Sequence, residues 1–346
     1  MMTREIYMHR CLELAKLGLG HTAPNPIVGA VLVREERIIG EGYHSYYGAA
    51  HAEVNCLHSV GDDDRRWITD STLYVSLEPC AHFGKTPPCA DLIIEKKIPR
   101  VVIACRDPFK EVNGRGIEKL RAAGVDLEIG MLEKEAMDTN RRFFTFHQQH
   151  RPYIILKWAE SANRKIANQD FSRVHISNEI TNRLIHKWRG EEASILVGTR
   201  TALHDNPMLT VRTVPGKNPI RLVVDMQLRL PESLHLFDQK TRTIVFNSIR
   251  HVDGEALSYY QITRDVSAVH QIVHALYQLN IQSVIVEGGA QLLQSFIDED
   301  LWDEARIITN DSIFIRDGIA APDLAGGQLI TSEAIFSDHI RYYRNQ

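Results

Sequence analysis

Short apolar runs alternate with amphipathic stretches along the whole chain. In the first half, apolar runs bounded by Gly, Pro and charged residues predict strands, and apolar residues three and four positions apart predict helices. The predicted strands are 27–33, 37–43, 72–77, 100–105 and 126–130, and the predicted helices are 1–19, 52–60, 90–96, 116–123 and the charged stretch 132–149. This order predicts a compact layered α/β unit.

The alternation continues after Arg151-Pro152, which opens a new strand. The predicted strands are 153–158, 194–198, 220–225, 241–246, 282–286 and 304–309, and the predicted helices are 179–189, 266–279 and 291–299. We therefore expect two α/β domains, 1–149 and 150–346. The strand–turn–helix unit around Gly288-Gly289 suits a phosphate held on backbone N–H groups, or is a plain tight turn. It lacks the G-x-G-x-x-G fingerprint, so no Rossmann fold follows.

Composition narrows the class of protein. A chain of 346 residues with 44% hydrophobic content is long enough for two cores. The net charge of −4 and pI near 6.5 give no electrostatic basis for nucleic-acid binding. Five cysteines without a secretory signal favour thiols and metal ligands over disulfides, and no apolar run approaches the roughly 20 residues of a membrane span. We expect a cytoplasmic enzyme.

The candidate chemistry lies in His51-Ala52-Glu53, Pro79-Cys80 and Cys89. One imidazole and two thiolates supply three zinc ligands, and a hydrolytic zinc keeps its fourth position for water. Glu53 need not be a ligand and can carry protons between water and a departing amine. A His-x-Glu motif followed by Pro-Cys and a second Cys is typical of zinc nucleobase deaminases. We predict His51, Cys80 and Cys89 as zinc ligands and Glu53 as the catalytic acid/base.

The cysteine spacing leaves alternatives open. Eight residues separate Cys80 from Cys89, where the commoner deaminases have two. The alternatives are a structural zinc completed by His82, and a pair of core cysteines beside an unrelated histidine. A deaminase acting on nucleic acid is disfavoured by the absence of basic clustering.

Motifs in both halves resemble the bifunctional deaminase/reductase family of riboflavin biosynthesis. The motifs that carry the resemblance are 23–29 (APNPIVG), 42–44 (GYH), 51–53 (HAE), 78–89 (EPCAHFGKTPPC), 107–108, 113–116, 156–157, Ser161, 201–212 (TALHDNPMLTVR) and 287–289 (EGG). The long spacing between the cysteines is typical of this family. The resemblance spans nearly the whole chain.

The resemblance implies a fold and two reactions. The first half would have a cytidine-deaminase-like three-layer fold and hydrolyse the 2-amino group of 2,5-diamino-6-(5-phosphoribosylamino)pyrimidin-4-one with Zn²⁺. The second half would have a dihydrofolate-reductase-like fold and use NADPH to reduce the ribosyl side chain to ribityl. It also implies a homodimer formed through the second half.

The resemblance implies binding residues as well. Those for the substrate are Asn25, His44, Thr86, Asp107 and Asn113 in the first half, and Lys157, Arg189, Leu209, Arg212 and Glu287 in the second. Arg189 and Arg212 suit a phosphate clamp, because guanidinium presents a fork of donors to phosphate oxygens. Those for NADPH are Ala159, His175, Thr201, Asp205, Gly289, Ala290, Gln291, Leu292, Leu293, Gln294 and Ser295. Lys157, Asp205 or Glu287 would place the proton that the reduced sugar gains.

One stretch departs from the family pattern. The segment 162–165 reads Ala-Asn-Arg-Lys where the family has a short acidic-Gly turn, and 171–177 lacks the usual Gly and Trp. Glycine takes positive φ at little cost, whereas Arg164 would be strained there. The alternative function is therefore an active deaminase with a weakened or non-catalytic reductase domain.

Overall fold

The computed structural model describes residues 2–83, 87–172 and 174–345. The chain divides into two compact units, Met1–His150 and Arg151–Gln346. No helix among these residues has the length and apolar composition needed to cross a lipid bilayer.

The first unit is built on one mixed sheet. Its helices and strands are α1 (Met2–Lys16), β1 (Gly29–Arg34), β2 (Arg37–Tyr43), α2 (Ala52–His58), β3 (Thr72–Val75), α3 (Cys89–Glu95), β4 (Arg100–Ile103), α4 (Arg115–Ala122), β5 (Asp126–Ile129), α5 (Glu133–Thr139) and α6 (Arg141–Gln149), with a 3₁₀ turn at Arg65–Asp70. In the described residues the sheet order is β2-β1-β3-β4-β5. Strand β1 is antiparallel to β2 and β3, and β3, β4 and β5 are parallel.

Both faces of this sheet are covered by helices. Cys56 of α2, Ile93 of α3 and Leu120 of α4 pack in the core on one face. Helices α1, α5 and α6 contribute buried residues to the core on the other face. The result is the layered α/β unit that the sequence pattern predicts, with the three layers that the family resemblance implies. The charged helical stretch is broken at Asn140, whose side chain bonds both the N–H and the carbonyl of Ile27.

The second unit is built on a larger sheet. Its elements are β6 (Tyr153–Ser161), β7 (Lys165–Asn168), α7 (Glu179–Glu191), β8 (Ser194–Gly198), α8 (Thr199–Asp205), β9 (Ile220–Val224), β10 (Thr243–Asn247), β11 (Leu257–Gln261), α9 (Ala268–Gln278), β12 (Ser283–Val286), α10 (Ala290–Asp298), β13 (Glu304–Asn310), β14 (Gly318–Ala320), β15 (Gly327–Ile335) and β16 (Asp338–Asn345), with a 3₁₀ turn at His235–Phe237. In the described residues the main sheet has the order β11-β10-β9-β8-β12-β6-β13-β16-β15.

In the part of the chain that the structure describes, seven neighbouring strands of this sheet are parallel, so their carboxyl ends lie at one edge. In sheet order they are β11, β10, β9, β8, β12, β6 and β13. Helices α9 and α10 bury Ile272, Leu276 and Phe296 on one face, and α7 buries Trp188 on the other. Strands β13, β16 and β15 are antiparallel. The sequence pattern does not predict β15, because its residues are exposed along most of its length and show no apolar alternation.

Candidate active sites

His51, Cys80 and Cys89 come together in the first unit. His51 is the N-cap of α2 and Cys89 is the first residue of α3, while Cys80 lies on the segment after β3. Their ligand atoms all lie within 4.8 Å of one another, and in the described residues this is the group that could hold a metal ion. The two helix starts thus bring residues 38 positions apart in the sequence to one point.

The donor set fits zinc. Nδ1 of His51 lies 3.6 Å from Sγ of Cys80 and 3.3 Å from Sγ of Cys89. Zinc bonds of about 2.0 Å to nitrogen and 2.3 Å to sulfur at tetrahedral angles put these atoms about 3.6 Å apart. His82 does not belong to the described group, which disfavours a structural zinc completed by that residue. Three protein ligands are typical of a catalytic zinc.

The two thiols form one hydrogen-bonded pair with opposite pKa shifts. Cys89 hydrogen-bonds Cys80, which lowers the pKa of the Cys80 thiol and, with burial, raises that of Cys89. The backbone N–H of Cys89 also donates to Cys80 Sγ at 3.3 Å. A bound divalent cation would favour deprotonation of both thiols, because thiolates are the ligating form.

Glu53 is buried beside this group. It lies on the first turn of α2 with 3% of its surface exposed, and its carboxyl hydrogen-bonds the Cys89 side chain. Burial and then the charge of Cys80 raise the pKa of Glu53. A buried carboxyl with a raised pKa, next to the ligands but outside their set, suits proton transfer.

Three of the predicted pyrimidine-binding residues, Asn25, His44 and Asp107, lie near the zinc group. Asn25 Nδ2 lies 3.3 Å from Nε2 of His44, whose ring meets that of His51 edge-on at 5.3 Å. Asp107 is buried, and Asn113 is exposed on the following turn. Burial raises the pKa of Asp107 to about 7; the hydrogen bond from the N–H of Phe109 opposes this shift, and the charges of Glu78 and Cys80 add smaller increases. The predicted Thr86 lies outside the described residues.

Glu78 is a site residue to which sequence reasoning assigned no role. Its buried carboxylate accepts N–H bonds from Asp107 at 3.3 Å and from Gly114 and Gly116 at 3.0 Å each. It thereby fixes the loop that carries Asp107 and Asn113 against the segment that carries Cys80. Its position two residues before Cys80 is the only signal for this in the sequence.

A cleft of about 1180 Å³ lies in the second unit. The predicted residues that line it are Lys157, Ala159, His175, Arg189, Thr201, Asp205, Leu209, Arg212, Glu287, Gly289, Ala290, Gln291, Leu292, Leu293 and Ser295. Gln294 does not line the cleft, since its side chain bonds Asp298 and the backbone of Asp323. The fold thus assembles residues that lie far apart in the chain, between positions 157 and 295.

Glu287 forms ion pairs with two basic residues that line this cleft. Its carboxylate forms a bidentate pair with Arg189 at 2.9 and 2.7 Å and lies 3.7 Å from Nζ of Lys157. Burial opposes its ionisation, but the charges of Arg189 and Lys157 outweigh this and lower the pKa of Glu287 to about 2. Burial lowers the pKa of Lys157, although Glu287 opposes that shift.

A second positive region adjoins this group. The backbone N–H of Arg212 donates to Nδ1 of His186 at 3.3 Å, and Arg212 Nη1 donates to the Thr210 hydroxyl. Burial and then the charges of Arg189 and Arg212 lower the pKa of His186. Arg189 and Arg212 therefore lie near one another as the expected clamp requires, but Nε and Nη2 of Arg189 are engaged by Glu287.

The turn before α10 fits a dinucleotide phosphate. Gly288 and Gly289 have φ of 152° and 74°, a region that favours glycine. A Cβ on Gly288 would come 3.1 Å from the Thr201 methyl, and one on Gly289 would come 3.4 Å from the Thr201 hydroxyl. The backbone here is close-packed and precedes a nine-residue helix whose first N–H groups face the turn.

The altered turn lies outside the cleft lining. Arg164 does adopt the left-handed conformation, with φ of 55°, and its N–H bonds the Ser161 carbonyl at 2.9 Å. Its guanidinium donates to the Pro322 carbonyl. The cleft is lined by Lys157, Trp158 and Ala159 before the turn and by Ile166 and Ala167 after it. Arg164 therefore has the left-handed conformation expected of this turn, but it is not among the described residues that line the cleft.

Family models match both units. Residues 1–105 match the model described as the cytidine and deoxycytidylate deaminase zinc-binding region. Residues 152–314 match the model described as the RibD C-terminal domain. The two matches coincide with the zinc group and with the cleft.

Full-length relatives align over nearly the whole chain. The riboflavin biosynthesis protein RibD of Aquifex aeolicus is 40% identical over 336 residues, covering 95% of this chain and 92% of the relative. That of Bacillus amyloliquefaciens is 37% identical, covering 94% and 88%. A crystal structure of a diaminohydroxyphosphoribosylaminopyrimidine deaminase/5-amino-6-(5-phosphoribosylamino)uracil reductase from Thermotoga maritima superposes with a TM-score of 0.90 at 34% identity, covering 100% of this chain and 99% of that one.

Proposed function

The chain belongs to the RibD family of bifunctional riboflavin biosynthesis proteins, and from that premise we propose which residues carry out each of its two reactions. It is a zinc-dependent pyrimidine deaminase joined to an NADPH-dependent reductase, with a cytidine-deaminase-like and a RibD-type reductase domain. The substrate is 2,5-diamino-6-(5-phosphoribosylamino)pyrimidin-4-one, and the product carries a ribityl side chain. The observation that carries the proposal is the pairing of a three-ligand zinc group in one unit with a charged cleft in the other.

In the deaminase unit, His51, Cys80 and Cys89 would hold the zinc. When bound, zinc would act as a Lewis acid that lowers the pKa of water to about 7. Glu53 would carry one proton of the attacking water to a ring nitrogen and a second to the departing amine. The water oxygen stays on the ring as a carbonyl, and the amine leaves as ammonia.

The remaining polar residues orient the pyrimidine for this step. Asn25 and His44 present amide and imidazole groups next to His51, and Asp107 lies buried on the loop that Glu78 fixes. Thr86 and Asn113 complete the proposed set. Buried polar groups that match a ring edge discriminate strongly, because a wrong ring would leave them unpaired.

In the reductase unit, NADPH supplies the hydride that no side chain can supply. We assign the cofactor to Ala159, His175, Thr201 and Asp205, and to the stretch 289–295, in which Gln294 would act only through its neighbours. Arg212 and the remaining Nη1 of Arg189 bind the substrate phosphate, and Leu209 lines the sugar site.

Lys157 is the residue that we assign to protonate the reduced sugar oxygen. Among the three candidates it alone is an N–H donor, and it is held in the cleft by Glu287 at 3.7 Å. Burial lowers its pKa, which makes its ammonium a stronger acid. Glu287 holds Lys157 and Arg189 in place, and Asp205 lies at the end of α8 on the cofactor side.

The weakened-reductase alternative is not favoured. The cleft retains the buried Lys157, Glu287 and Arg189 group, and the altered turn at Arg164 does not line it. The family model and the relatives cover this unit.

Cys80→Ser is expected to lose bound zinc and ammonia release while keeping NADPH-dependent reduction of the deaminated substrate. The zinc ligands and the Lys157 cleft lie in different units, so loss of zinc should leave the reductase reaction unaffected. Elemental analysis and separate assays of the two half-reactions measure this. Cys105→Ala, outside the described ligand group, is the control. Zinc content equal to that of the control would refute the ligand set.

We also propose a homodimer formed through the second unit. Strand β15 is the last strand of the described sheet, and Leu329 and Ile330 on it are each 51% exposed, while Phe336 beyond it is 85% exposed. An exposed apolar edge strand pairs readily with a second copy.

The acidic net charge and the free cysteines support the proposal of a cytoplasmic protein that does not bind nucleic acid.

Light scattering tests the dimer. The expected mass is twice the 39.4 kDa of one chain. Ile330→Lys combined with Phe336→Lys should give the mass of one chain, because charges oppose edge pairing. Ile249→Lys, at an exposed apolar residue elsewhere in the unit, should leave the dimer intact. A single-chain mass for the unmodified protein would rule the dimer out.

A further inference from the structure

Two arginines lie on the side of the second unit that runs from β12 towards β11. Arg200, in the first turn of α8, lines the cleft, whereas Arg264 follows β11 and is not among the described residues that line it. This side of the cleft is also lined by Val224 and Met226 at and just after the end of β9, which lies two strands away from β12. The substrate groups, by contrast, lie on β6 and just after β12.

Arg264 is held against the cleft by a hydrogen-bond chain. Its Nε donates to the Ser248 hydroxyl at 3.1 Å, and that hydroxyl donates to the carbonyl of Met226 at 2.8 Å. Met226 lines the cleft. Anchoring through Nε leaves the two terminal nitrogens of Arg264 to meet a ligand.

Neither arginine is neutralised by a carboxylate among the residues that the structure describes, whereas Arg189 is engaged by Glu287. The nearest acidic neighbour in sequence, Asp265, is hydrogen-bonded by Thr263. Arg200 is exposed. A cofactor cleft bordered by two uncompensated guanidiniums is suited to a dianionic group.

We infer that Arg264, anchored by Ser248, and Arg200 bind the 2′-phosphate of NADPH and give this reductase its preference for NADPH over NADH. Strands β8 and β10 flank β9 and lie about 10 Å apart. Arg200 follows β8, and Arg264, although it follows β11, bonds Ser248 just after β10, so a phosphate over the end of β9 would have one arginine on each side. Apolar Ala268, Val269 and Ile272 on the first turns of α9 also line the cleft and would offer a surface to the adenine ring.

This inference rests on the proposed placement of NADPH in the cleft. A pyrophosphate bound on the Gly288-Gly289 turn, which follows β12, would lie two strands from β9, and we place the adenosine in that direction. The nicotinamide would then lie towards Lys157. The two arginines would thus lie near the 2′ position of the adenosine ribose, where NADPH carries a phosphate and NADH does not.

Calorimetric binding of 2′,5′-ADP, 5′-AMP, NADPH and NADH to the full chain tests the inference. Arg264→Ala should weaken 2′,5′-ADP and NADPH by about 10- to 100-fold, the range for a lost charged hydrogen bond. NADH and 5′-AMP should bind as before. Ser248→Ala should give a smaller loss of the same selectivity, because it removes only the anchor. Arg242→Ala, at the opposite end of β10, is the matched control and should change nothing.

Gly289→Val separates this inference from the placement on which it rests. If Gly289→Val abolishes binding of NADPH and NADH while Arg264→Ala affects neither, the placement stands and the role of Arg264 is wrong. If Gly289→Val leaves both cofactors bound, the placement itself is wrong. Equal losses of NADPH and NADH in Arg264→Ala would also overturn the role in 2′-phosphate recognition.

Discussion

Glu53→Gln is expected to keep zinc bound and to slow ammonia release by at least about 100-fold, the lower range for loss of a general acid/base. The amide has nearly the same shape as the carboxyl, so α2 and the His51 ligand that begins it should be undisturbed. The amide cannot accept and return protons. Burial and then the charge of Cys80 raise the pKa of Glu53, and the variant no longer has this titratable carboxyl.

The measurement is ammonia release per chain, with zinc content determined on the same sample. Glu118→Gln, an exposed residue on α4, is the matched control and should retain full activity. Reduction of the deaminated substrate should be unchanged in both variants. Ammonia release within a few-fold of the control would show that Glu53 is not the proton carrier.

Lys157→Met should reduce the rate of NADPH oxidation by about 100- to 10,000-fold without preventing NADPH binding. Methionine keeps much of the buried volume of the lysine stem but has no proton to donate. Glu287 keeps its bidentate pair with Arg189, so no buried carboxylate is left without a cation. Deamination should continue at its normal rate, because this cleft lies in the second unit.

Single-turnover reduction with the deaminated substrate checks this expectation, beside NADPH binding by calorimetry. Lys165→Met serves as the control, since Lys165 lies on β7 and is not among the residues that line the cleft. A variant that binds NADPH normally and reduces substrate at the control rate would show that another group donates the proton.

The zinc site could be predicted from the sequence because its signals are local. His51 and Cys89 each begin a helix, and Glu53 follows within one turn, so residue type and spacing define the chemistry. The role of Glu78 could not be predicted in this way. Its hydrogen-bond partners lie about 30 to 40 positions away in the chain and meet it only in the folded unit.

The reductase cleft required the fold for a similar reason. Lys157 lies on β6, Glu287 directly follows the neighbouring parallel strand β12 and is 130 positions away in the chain, and Arg189 reaches Glu287 from α7. Motif resemblance identified these residues without showing that they form one ionic group. Strand β15 was missed because its exposed residues carry no apolar alternation, which is the main sequence signal for a strand.

The most direct test of the two-reaction account follows ammonia and NADPH in the same reaction. The purified chain is incubated with 2,5-diamino-6-(5-phosphoribosylamino)pyrimidin-4-one and NADPH, and each product is measured separately. The account predicts one ammonia released for each NADPH oxidised at completion, with ammonia alone when NADPH is omitted. Full ammonia release with no NADPH oxidation would contradict it and would leave the chain a deaminase with an inactive second unit.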